Sequence, residues 1–464
     1  MQKEFRKNKN QLKLTFYSGT ESVTGANFLL EDDKTKILID CGLTQGIGFD
    51  FKNDPNRKPF SYDPREVDFL LVTHAHTDHI GRIPKLIKDG FSGQIFSTKQ
   101  TKEIAELMFD DALSILNNEA KKHDAEPLYE KKHVDGALSI WQTYDYHQVF
   151  DLNEDFSVSF RDAGHILGSA MITVRHKDTA KNIVFTGDLG NTPTPLIRNT
   201  EEIEDADYLI MESVYGDRNH DQKEQRKEKL KEILQKIIDR KGTLLIPVFS
   251  LEKTQVILHE MNDLVEGKQI TSVPVFFDSP LGIRLTEIYQ KQYKNFNEKV
   301  QARIMSGDDI FDFPKLTKTY TKEESQLIRK TPGPKIIIAS SGMSTGGRIL
   351  YHEKEYLPDP KNAILFIGYQ VPGSIGRAIE EGIGQVKIEN QIVPIKAQIY
   401  TVSGYSSHKD SDNLVDFVSN TAKRVKKVFV VMGEPKSAMF LAQKLRDNLD
   451  VDAIHPREGD SFII

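Results

Sequence analysis

Short apolar runs separated by turn residues make up the first part of the chain. Residues 12 to 40 contain three strand-like runs, "LKLTFY", "ANFLL" and "KILID", and a loop rich in glycine, proline and asparagine follows them. After a further run, "VDFLLVT", residues 99 to 120 carry apolar side chains at helical spacing, which predicts an amphipathic helix with a buried stripe. The stripe comprises Ile104, Leu107, Met108, Ala112, Ile115 and Leu116.

The pattern changes at Asp207. From here to residue 395, compact strand-like runs alternate with helical stretches, which is typical of βαβ units and a largely parallel sheet. The pieces after residue 395 are too short to fold alone, so we expect them to complete the first domain. The sequence therefore predicts an α/β protein in which residues 1–206 and 396–464 form one domain and residues 207–395 form a second domain inserted into it.

Length and composition agree with two domains. With 464 residues, the chain is too long for one ordinary hydrophobic core. No apolar run approaches the roughly 18 residues that a membrane-spanning helix needs, and the start, "MQKEFRKNKN", lacks the apolar core of a secretory signal. We therefore expect a cytoplasmic protein without membrane contact, and we expect the single cysteine, Cys41, to be a buried and inert thiol. The net charge of -6 gives no support to a nonspecific nucleic-acid binder.

Three histidines and an aspartate crowd into "HAHTDH", directly after the strand-like run that ends at Thr73. We expect His74 and His76 in the connecting loop and Asp78 and His79 at the start of a helix, so that four metal-capable side chains can converge. Imidazole and carboxylate ligands without thiolates favour zinc in an open catalytic site. A polar helix cap with surface histidines is the alternative.

Two further candidate ligands lie beside glycines at the ends of strand-like runs: His165 in "DAGHILGSAM" and Asp188 in "FTGDLG". Each alone is more often a turn residue. Together with Asp40 and "HAHTDH", in this order, they make the chain resemble the metallo-β-lactamase fold, an αββα sandwich. The resemblance implies a first zinc held by His74, His76 and His165, a second zinc held by Asp78 and His79, a bridging role for Asp188, and an orienting role for Asp40.

The predicted insertion carries a second series of motifs. The stretches "MESVYGDR", "IPVFSLEKTQ", "FFDSPLG", "ASSGMSTGGRIL" and "GYQVPGSIGRAI" resemble the β-CASP domain of RNA-processing nucleases, a family that includes the nuclease subunit of the pre-mRNA cleavage and polyadenylation machinery. By this resemblance Glu212 is the motif A acid, and His408 of "SGYSSHKD" is the motif B histidine. His408 would protonate the leaving alkoxide while Glu212 keeps the imidazole charged and oriented. The alternatives are a surface ion pair for Glu212 and a helix-capping role for His408 beside Asp410.

Two parts of the predicted insertion are candidates for contacting the RNA backbone, and each also has a purely structural explanation. The glycine-rich "SSGMSTGGR" begins with Ser340, Ser341 and Gly342, and its backbone NH groups could cradle a phosphate. A plain strand-to-helix turn explains the same stretch equally well. Arg377 is either a phosphate ligand or a structural ion-pair partner.

One position departs from the family pattern. In "VFVVMGEP" the motif C histidine, a ligand of the second zinc in the family, is replaced by Met432. A thioether is a soft, neutral ligand that suits zinc poorly, so we expect the second site to bind metal more weakly than the first. His455 is the alternative ligand at that position, but we expect it to be an exposed loop histidine.

The resemblance as a whole implies a zinc-dependent ribonuclease that binds RNA between its two domains and leaves a 5′-phosphate product. Endonuclease action is the expected mode, and 5′ to 3′ exonuclease action is the second. One rival is a hydrolase of small-molecule esters with the same fold. The other is an RNA-binding relative with weakened catalysis, which Met432 keeps open. A homodimer is an option that the sequence also leaves open.

Overall fold

The computed structural model describes residues 11–45, 51, 53–220, 225–371 and 373–464. Its strands are β1 Lys13–Ser18, β2 Asn27–Glu31, β3 Lys36–Ile39, β4 Phe69–Leu71, β5 Gln94–Ser97, β6 Trp141–Thr143, β7 Phe150–Asp151, β8 Phe156–Asp162, β9 Ala170–His176, β10 Lys181–Phe185, β11 Tyr208–Met211, β12 Thr243–Pro247, β13 Val275–Asp278, β14 Leu316–Lys318, β15 Lys335–Ala339, β16 Ala363–Phe366, β17 Gln385–Ile388, β18 Gln391–Pro394, β19 Gln398–Thr401, β20 Lys427–Val430, β21 Ala453–Ile454 and β22 Ser461–Ile463.

The α-helices that the structure describes are α1 Thr77–Ile80, α2 Ile83–Lys88, α3 Lys99–Lys122, α4 Lys131–Ser139, α5 Arg226–Arg240, α6 Lys253–Glu266, α7 Pro280–Lys291, α8 Glu298–Met305, α9 Lys322–Leu327, α10 Ile349–Tyr356, α11 Ile375–Glu380, α12 Ser411–Ser419 and α13 Pro435–Leu449. None of them is long and apolar enough to cross a lipid bilayer.

Two seven-stranded sheets face each other in the first domain. Their strand orders are β22-β1-β2-β3-β4-β5-β6 and β21-β20-β11-β10-β9-β8-β7. Side chains alternate between the two faces of each strand. In β3, Ile37 and Ile39 belong to the core between the sheets, while Leu38 belongs to the core that includes Leu86 of α2 and Ile104 of α3. Apolar residues on the outer face of the second sheet share a third core with α12 and α13. The predicted αββα sandwich is confirmed.

The inserted domain is built on a six-stranded sheet with the order β14-β13-β15-β12-β16-β19. All of its strand pairs are parallel, as the alternation of short strands and helices predicts. Residues from β12, β15 and β16 pack with α10 and α11 into a separate core. The prediction of a mainly parallel sheet is confirmed.

Two strands close to the predicted domain boundaries pair with a sheet on the other side of the boundary. β11 begins at Tyr208, after the predicted end of the first part at residue 206, yet it pairs with β10 and β20 of the first domain. β19 begins at Gln398, after the predicted end of the insertion at residue 395, yet it pairs with β16 of the inserted sheet. β11 has the apolar run of any buried parallel strand, and β19 is a partly exposed edge strand, so neither sequence alone identifies its sheet.

The predicted helix over residues 99 to 120 is confirmed as α3, but its stripe is only partly core. Ile104 is fully buried, whereas Ile115 is 57% exposed, so its assignment to the core was wrong. No residue from Ser114 to Glu119 is fully buried, because the second half of α3 leaves the core before Ala120 returns to it. Cys41 is buried as predicted, and burial raises the pKa of its thiol to about 11, which keeps it inert.

Candidate functional site

The candidate residues follow the carboxyl ends of parallel strands in both sheets. Asp40 follows β3 and His74 follows β4, and these two strands are parallel neighbours. Asp188 follows β10 and Glu212 follows β11, which are also parallel neighbours. The Thr73 carbonyl accepts from the Ala170 amide of β9 at 2.8 Å, which joins the two sheets beside the histidine loop. Sheet topology therefore brings residues far apart in sequence to one edge of the sandwich.

Three histidines and one aspartate form a compact group of metal-ligating atoms. His74 Nε2 and His165 Nε2 lie 3.1 and 3.2 Å from His76 Nδ1. Asp188 Oδ2 lies 3.4 Å from His74 Nε2 and 3.5 Å from His165 Nε2. Ligands at the usual zinc distances of 2.0–2.1 Å would lie about 3.4 Å apart at the corners of a tetrahedron. The four atoms therefore fit one small divalent metal ion without rearrangement.

Neighbouring oxygens face the other ring nitrogens of these histidines. His165 Nδ1 lies 3.2 Å from the Ser407 carbonyl, and His74 Nδ1 lies 3.0 Å from Thr73 Oγ1. A carbonyl can only accept, so the proton of His165 sits on Nδ1 and its Nε2 lone pair is free for a metal. Sequence reasoning missed both partners. Thr73 could have been noticed because it directly precedes the cluster, whereas Ser407 is distant in sequence.

The ionisation of the group also suits metal binding. Burial lowers the pKa of His76 and of His165 well below the ordinary range, so both imidazoles are neutral ligands at physiological pH. Burial acts to raise the pKa of Asp188, but the charges of His79 and His74 outweigh it and hold this pKa well below its usual range. The neutral imidazoles of His76 and His165 and the ionised carboxylate of Asp188 are the protonation states that a divalent cation needs.

A second group of ligands lies on the other side of Asp188. His79 Nε2 is 3.4 Å from Asp188 Oδ1 and 4.0 Å from Asp78 Oδ2. Asp40 Oδ2 accepts from His79 Nδ1 at 2.7 Å, and Asp40 is itself held by the amide and the hydroxyl of Thr73 at 2.8 and 2.7 Å. Within the described structure, His79 Nε2 and Asp188 Oδ1 are buried without any hydrogen-bond partner. A metal ion would satisfy both atoms, so the residues fit a metal here as well.

Met432 lies beside this second group but offers it no charged or nitrogen ligand. It follows β20, is 2% exposed, and belongs to the apolar core between the sheets. A small cavity of about 10 Å³ is lined by Met432 together with His79, Asp40 and Glu212. His455 is half-buried rather than exposed as predicted, because its Nδ1 donates to the Val430 carbonyl at 3.1 Å.

The buried Glu212 and the half-buried His408 form a pair next to the metal-ligating group. His408 Nδ1 lies 3.1 and 3.2 Å from the two carboxylate oxygens of Glu212, and ligand atoms of Asp188, Glu212 and His408 lie within 4.8 Å of one another. Glu212 is 0% exposed, so the alternative of a surface ion pair is excluded. The cap of α12 is Asp410, whose side chain accepts from Asn413, so the capping role belongs to Asp410 and not to His408.

Local pairing and burial explain this arrangement. Asn191 donates its amide to the Ser407 carbonyl and Lys409 donates to the Leu189 carbonyl, each at 2.9 Å, so the His408 loop lies along the segment after Asp188. Burial acts to lower the pKa of His408, but the Glu212 carboxylate outweighs this effect and raises it. His408 is therefore held in its charged form more strongly than an ordinary histidine.

The predicted substrate contacts lie at the carboxyl end of β15 and in α11. Ser340 Oγ lies 2.8 Å from Ser279 Oγ, and Ser341 Oγ accepts from the Thr345 amide at 3.1 Å. A methyl group at Gly342 would lie 2.7 Å from the Phe249 ring, so only glycine fits there. Arg377 forms an ion pair at 2.6 Å with Glu381, the residue that follows the end of α11. These side chains thus have structural partners inside the inserted domain.

Comparison with protein families covers most of the chain. Residues 23–247 match the metallo-beta-lactamase superfamily, residues 254–379 match the Beta-Casp domain, and residues 392–456 match the Zn-dependent metallo-hydrolase RNA specificity domain. Ribonuclease TTHA0252 of Thermus thermophilus is 33% identical over 434 residues, which cover 94% of this chain and 96% of that protein. Transcription termination factor FttA of Methanosarcina mazei is 29% identical over 458 residues, which cover 95% of this chain and 70% of that protein.

A solved structure shares the fold at low sequence identity. A protein of unknown function from Enterococcus faecalis V583 superimposes with a TM-score of 0.56 at 13% identity, covering 98% of this chain and 100% of that one. The matches to the three domain families and to a relative of nearly equal length agree with the layered sheets and the metal-ligating group. The chain belongs to the β-CASP family of the metallo-β-lactamase superfamily.

Proposed function

We propose that this protein is a metal-dependent ribonuclease that hydrolyses phosphodiester bonds of RNA. The observation that carries the proposal is the Glu212–His408 pair, placed within reach of Asp188 and thus beside a group that fits a divalent metal. The relative named a ribonuclease, which matches along nearly the whole chain, supports the same reaction.

Zinc is the metal that we propose for the site. Three imidazole nitrogens and one carboxylate oxygen are typical zinc donors, and one of the matching family models is described as zinc-dependent. When bound, the metal supplies a water of lowered pKa and neutralises charge on the phosphate. We assign His74, His76 and His165 to the first metal position, Asp78 and His79 to the second, and Asp188 to both. Because Met432 stands where the family has a ligand histidine, the second position binds metal more weakly than the first.

The chain's own residues supply the proton and the orientation. His408 bonds to Glu212 through Nδ1, so Nε2 is the atom that donates a proton to the departing 3′ oxygen of the RNA. Glu212 keeps the imidazole charged and fixes its direction. Asp40 holds the Nδ1 proton of His79, so that Nε2 of His79 is turned toward Asp188. Hydrolysis with loss of the 3′ oxygen leaves a 5′-phosphate on the downstream product.

RNA enters the cleft between the two domains in this proposal, and the enzyme acts in the cytoplasm, mainly as an endonuclease. A circular RNA tests the mode directly, since it has no end for an exonuclease. We expect the purified protein to linearise it and to leave a 5′-phosphate that a ligase can join. The His76→Ala variant is the control, and it should leave the circle intact. Degradation of linear RNA with the circular RNA left intact would show that the enzyme is an exonuclease.

Met432 supports one rival, an RNA-binding protein with weakened catalysis. If the protein binds RNA but cleaves neither circular nor linear RNA at saturating zinc, this rival replaces the nuclease proposal. Cleavage of a thioester or a β-lactam, with intact RNA, would instead favour the hydrolase of small molecules.

A further inference from the structure

Lys253, the first residue of α6, lies next to the loop that carries His408 although it belongs to the inserted domain. Its Nζ donates to the Tyr405 carbonyl at 3.3 Å. Burial acts to lower the pKa of His408, but the Glu212 carboxylate outweighs burial and raises this pKa. The positive charge of Lys253 acts to lower it. Lys253 is therefore close enough to the reacting centre to influence it electrostatically.

The stem of Lys253 has a defined path. It runs along Gly368, where an added methyl group would lie 3.2 Å from Cε and 3.4 Å from Cδ of the lysine. The ammonium lies 6.0 Å from the centroid of the Phe249 ring. Because the backbone of Gly368 and the ring of Phe249 lie beside the stem, they restrict the positions that the ammonium group can take.

The preceding residue, Glu252, connects to the other loop of the site. It accepts from Tyr289 Oη at 2.6 Å, and Tyr289 Oη accepts from the Leu167 amide at 3.2 Å. Leu167 lies two residues after His165. The Glu252–Lys253 pair thus contacts both the loop of His165 and the loop of His408, which places Lys253 where the inserted domain meets the metal centre.

Lys253 has no acidic side chain within ion-pair distance among the residues that the structure describes, and its amine bonds to a carbonyl. Burial lowers the pKa of Lys253 to about 8, and the charge of Glu252 opposes this shift. A cation that is partly desolvated without a counter-ion is costly, and an anion brought beside it recovers the cost. With a net charge of -6, the chain does not attract RNA by its overall charge, so RNA binding depends on individual cations such as Lys253.

We propose that Lys253 binds a backbone phosphate of the RNA next to the scissile one, where the strand leaves the metal centre along the inserted domain. This role rests on the proposed ribonuclease function. Phosphate is the anion that every RNA segment supplies at this place, whatever its sequence. Lys253 thereby contributes to affinity and position, and not to base preference.

The test compares Lys253→Met and Lys253→Arg with the wild-type metal-loaded enzyme on a single-stranded uridine homopolymer over a series of salt concentrations. For Lys253→Met we expect KM to rise on the order of 10-fold with little change in kcat. The slope of log KM against log salt should fall by about 0.7, the value for one phosphate contact on a single strand. Lys253→Arg keeps the charge and should restore most of both. The control Lys34→Met removes an equally charged lysine whose side chain is 76% exposed, and it should change neither.

Hydrolysis of bis(p-nitrophenyl) phosphate separates the alternatives, because this small diester has no flanking phosphate. Because p-nitrophenolate leaves without a proton from His408 and no flanking phosphate is present, we expect the KM of Lys253→Met for this diester to match that of the wild type. An equal loss on RNA and on the small diester would show a structural role and overturn the proposal. A fall in kcat on RNA with unchanged KM and salt slope would show an action through His408, which also overturns it. Absence of RNA cleavage by the wild type would instead refute the ribonuclease function itself.

Discussion

Replacing Glu212 by glutamine tests how the acid of the site is held. The carboxylate is fully buried, accepts from the Leu189 amide at 2.6 Å, and faces His408 Nδ1 at 3.1 and 3.2 Å. Glutamine has the same shape, and its carbonyl can still accept from both groups. The change therefore removes the negative charge while keeping most of the geometry, so the pKa of His408 should fall and less of it should be charged at neutral pH.

The size of the effect follows from what a general acid contributes. Such a group is typically worth about 10²- to 10⁴-fold in rate, which corresponds to about 2.7 to 5.5 kcal/mol. His408→Ala removes all of it. Glu212→Gln leaves an imidazole in place, so we expect a smaller loss of about 10- to 10²-fold in kcat on RNA. Because the two residues act as one unit, the double variant should be about as slow as His408→Ala alone.

The assay uses two RNA substrates that differ only at the leaving atom, a normal 3′ oxygen or a 3′ sulfur. A thiolate leaves without a proton, so both single variants should recover most of the wild-type rate on the sulfur substrate. Glu31→Gln, which alters a carboxylate paired with Lys13 at 2.8 Å away from the site, serves as the control and should act as wild type. Equal losses on both substrates would refute the role of the pair as an acid, and unchanged rates would do the same.

Three further predictions address the metal site and the stability of the fold. Met432→His should add about one zinc per chain at a fixed free zinc concentration and raise the cleavage rate; two tightly held zinc ions in the wild type would contradict the expectation of a weak second site. Gly42→Ala should lower the free energy of unfolding by about 3 kcal/mol or more and reduce metal content, since the added methyl would lie 1.5 Å from the carbonyl oxygen of Asp78; a denaturant titration that matches the wild type would contradict this. Burial raises the pKa of Glu353 to about 7, so the folded state keeps a proton that the unfolded state loses above its ordinary value, and stability should fall as the pH rises from about 4.5 to 7 by about 3 kcal/mol. Glu353→Gln should abolish this loss, and an identical pH profile of unfolding for both proteins would contradict the assignment.

Sequence reasoning identified the residues that the structure gathers into a group able to hold a metal, because each of the loops that carry them has its own local signature. "HAHTDH" is contiguous, and His165 and Asp188 stand beside glycines at strand ends. It did not assign β11 and β19 to a sheet, because the short runs "YLIM" and "QIYT" do not identify their partners and only strand pairing does. It assigned Ile115 to the core because helical spacing does not reveal where a long helix leaves its neighbours.

Other parts of the site depend on packing between segments that are remote in sequence. Ser407 meets His165 only because the His408 loop lies along residues 189 to 191. In the sequence Lys253 resembles an ordinary first-turn lysine of a helix, and its amine reaches the Tyr405 carbonyl only because segments remote in sequence pack together. No local pattern carries that information.

The central claim is that RNA cleavage depends on a metal held by His74, His76, His165 and Asp188. It is tested most directly by measuring zinc content and RNA cleavage on the same samples of wild-type protein, chelator-treated protein, and treated protein to which zinc is returned stepwise, with His76→Ala in parallel. Cleavage should be lost when the metal is removed and should return when one equivalent of zinc, or a larger amount, is added back. It should stay absent in His76→Ala. Full cleavage by protein that contains no metal would contradict the claim.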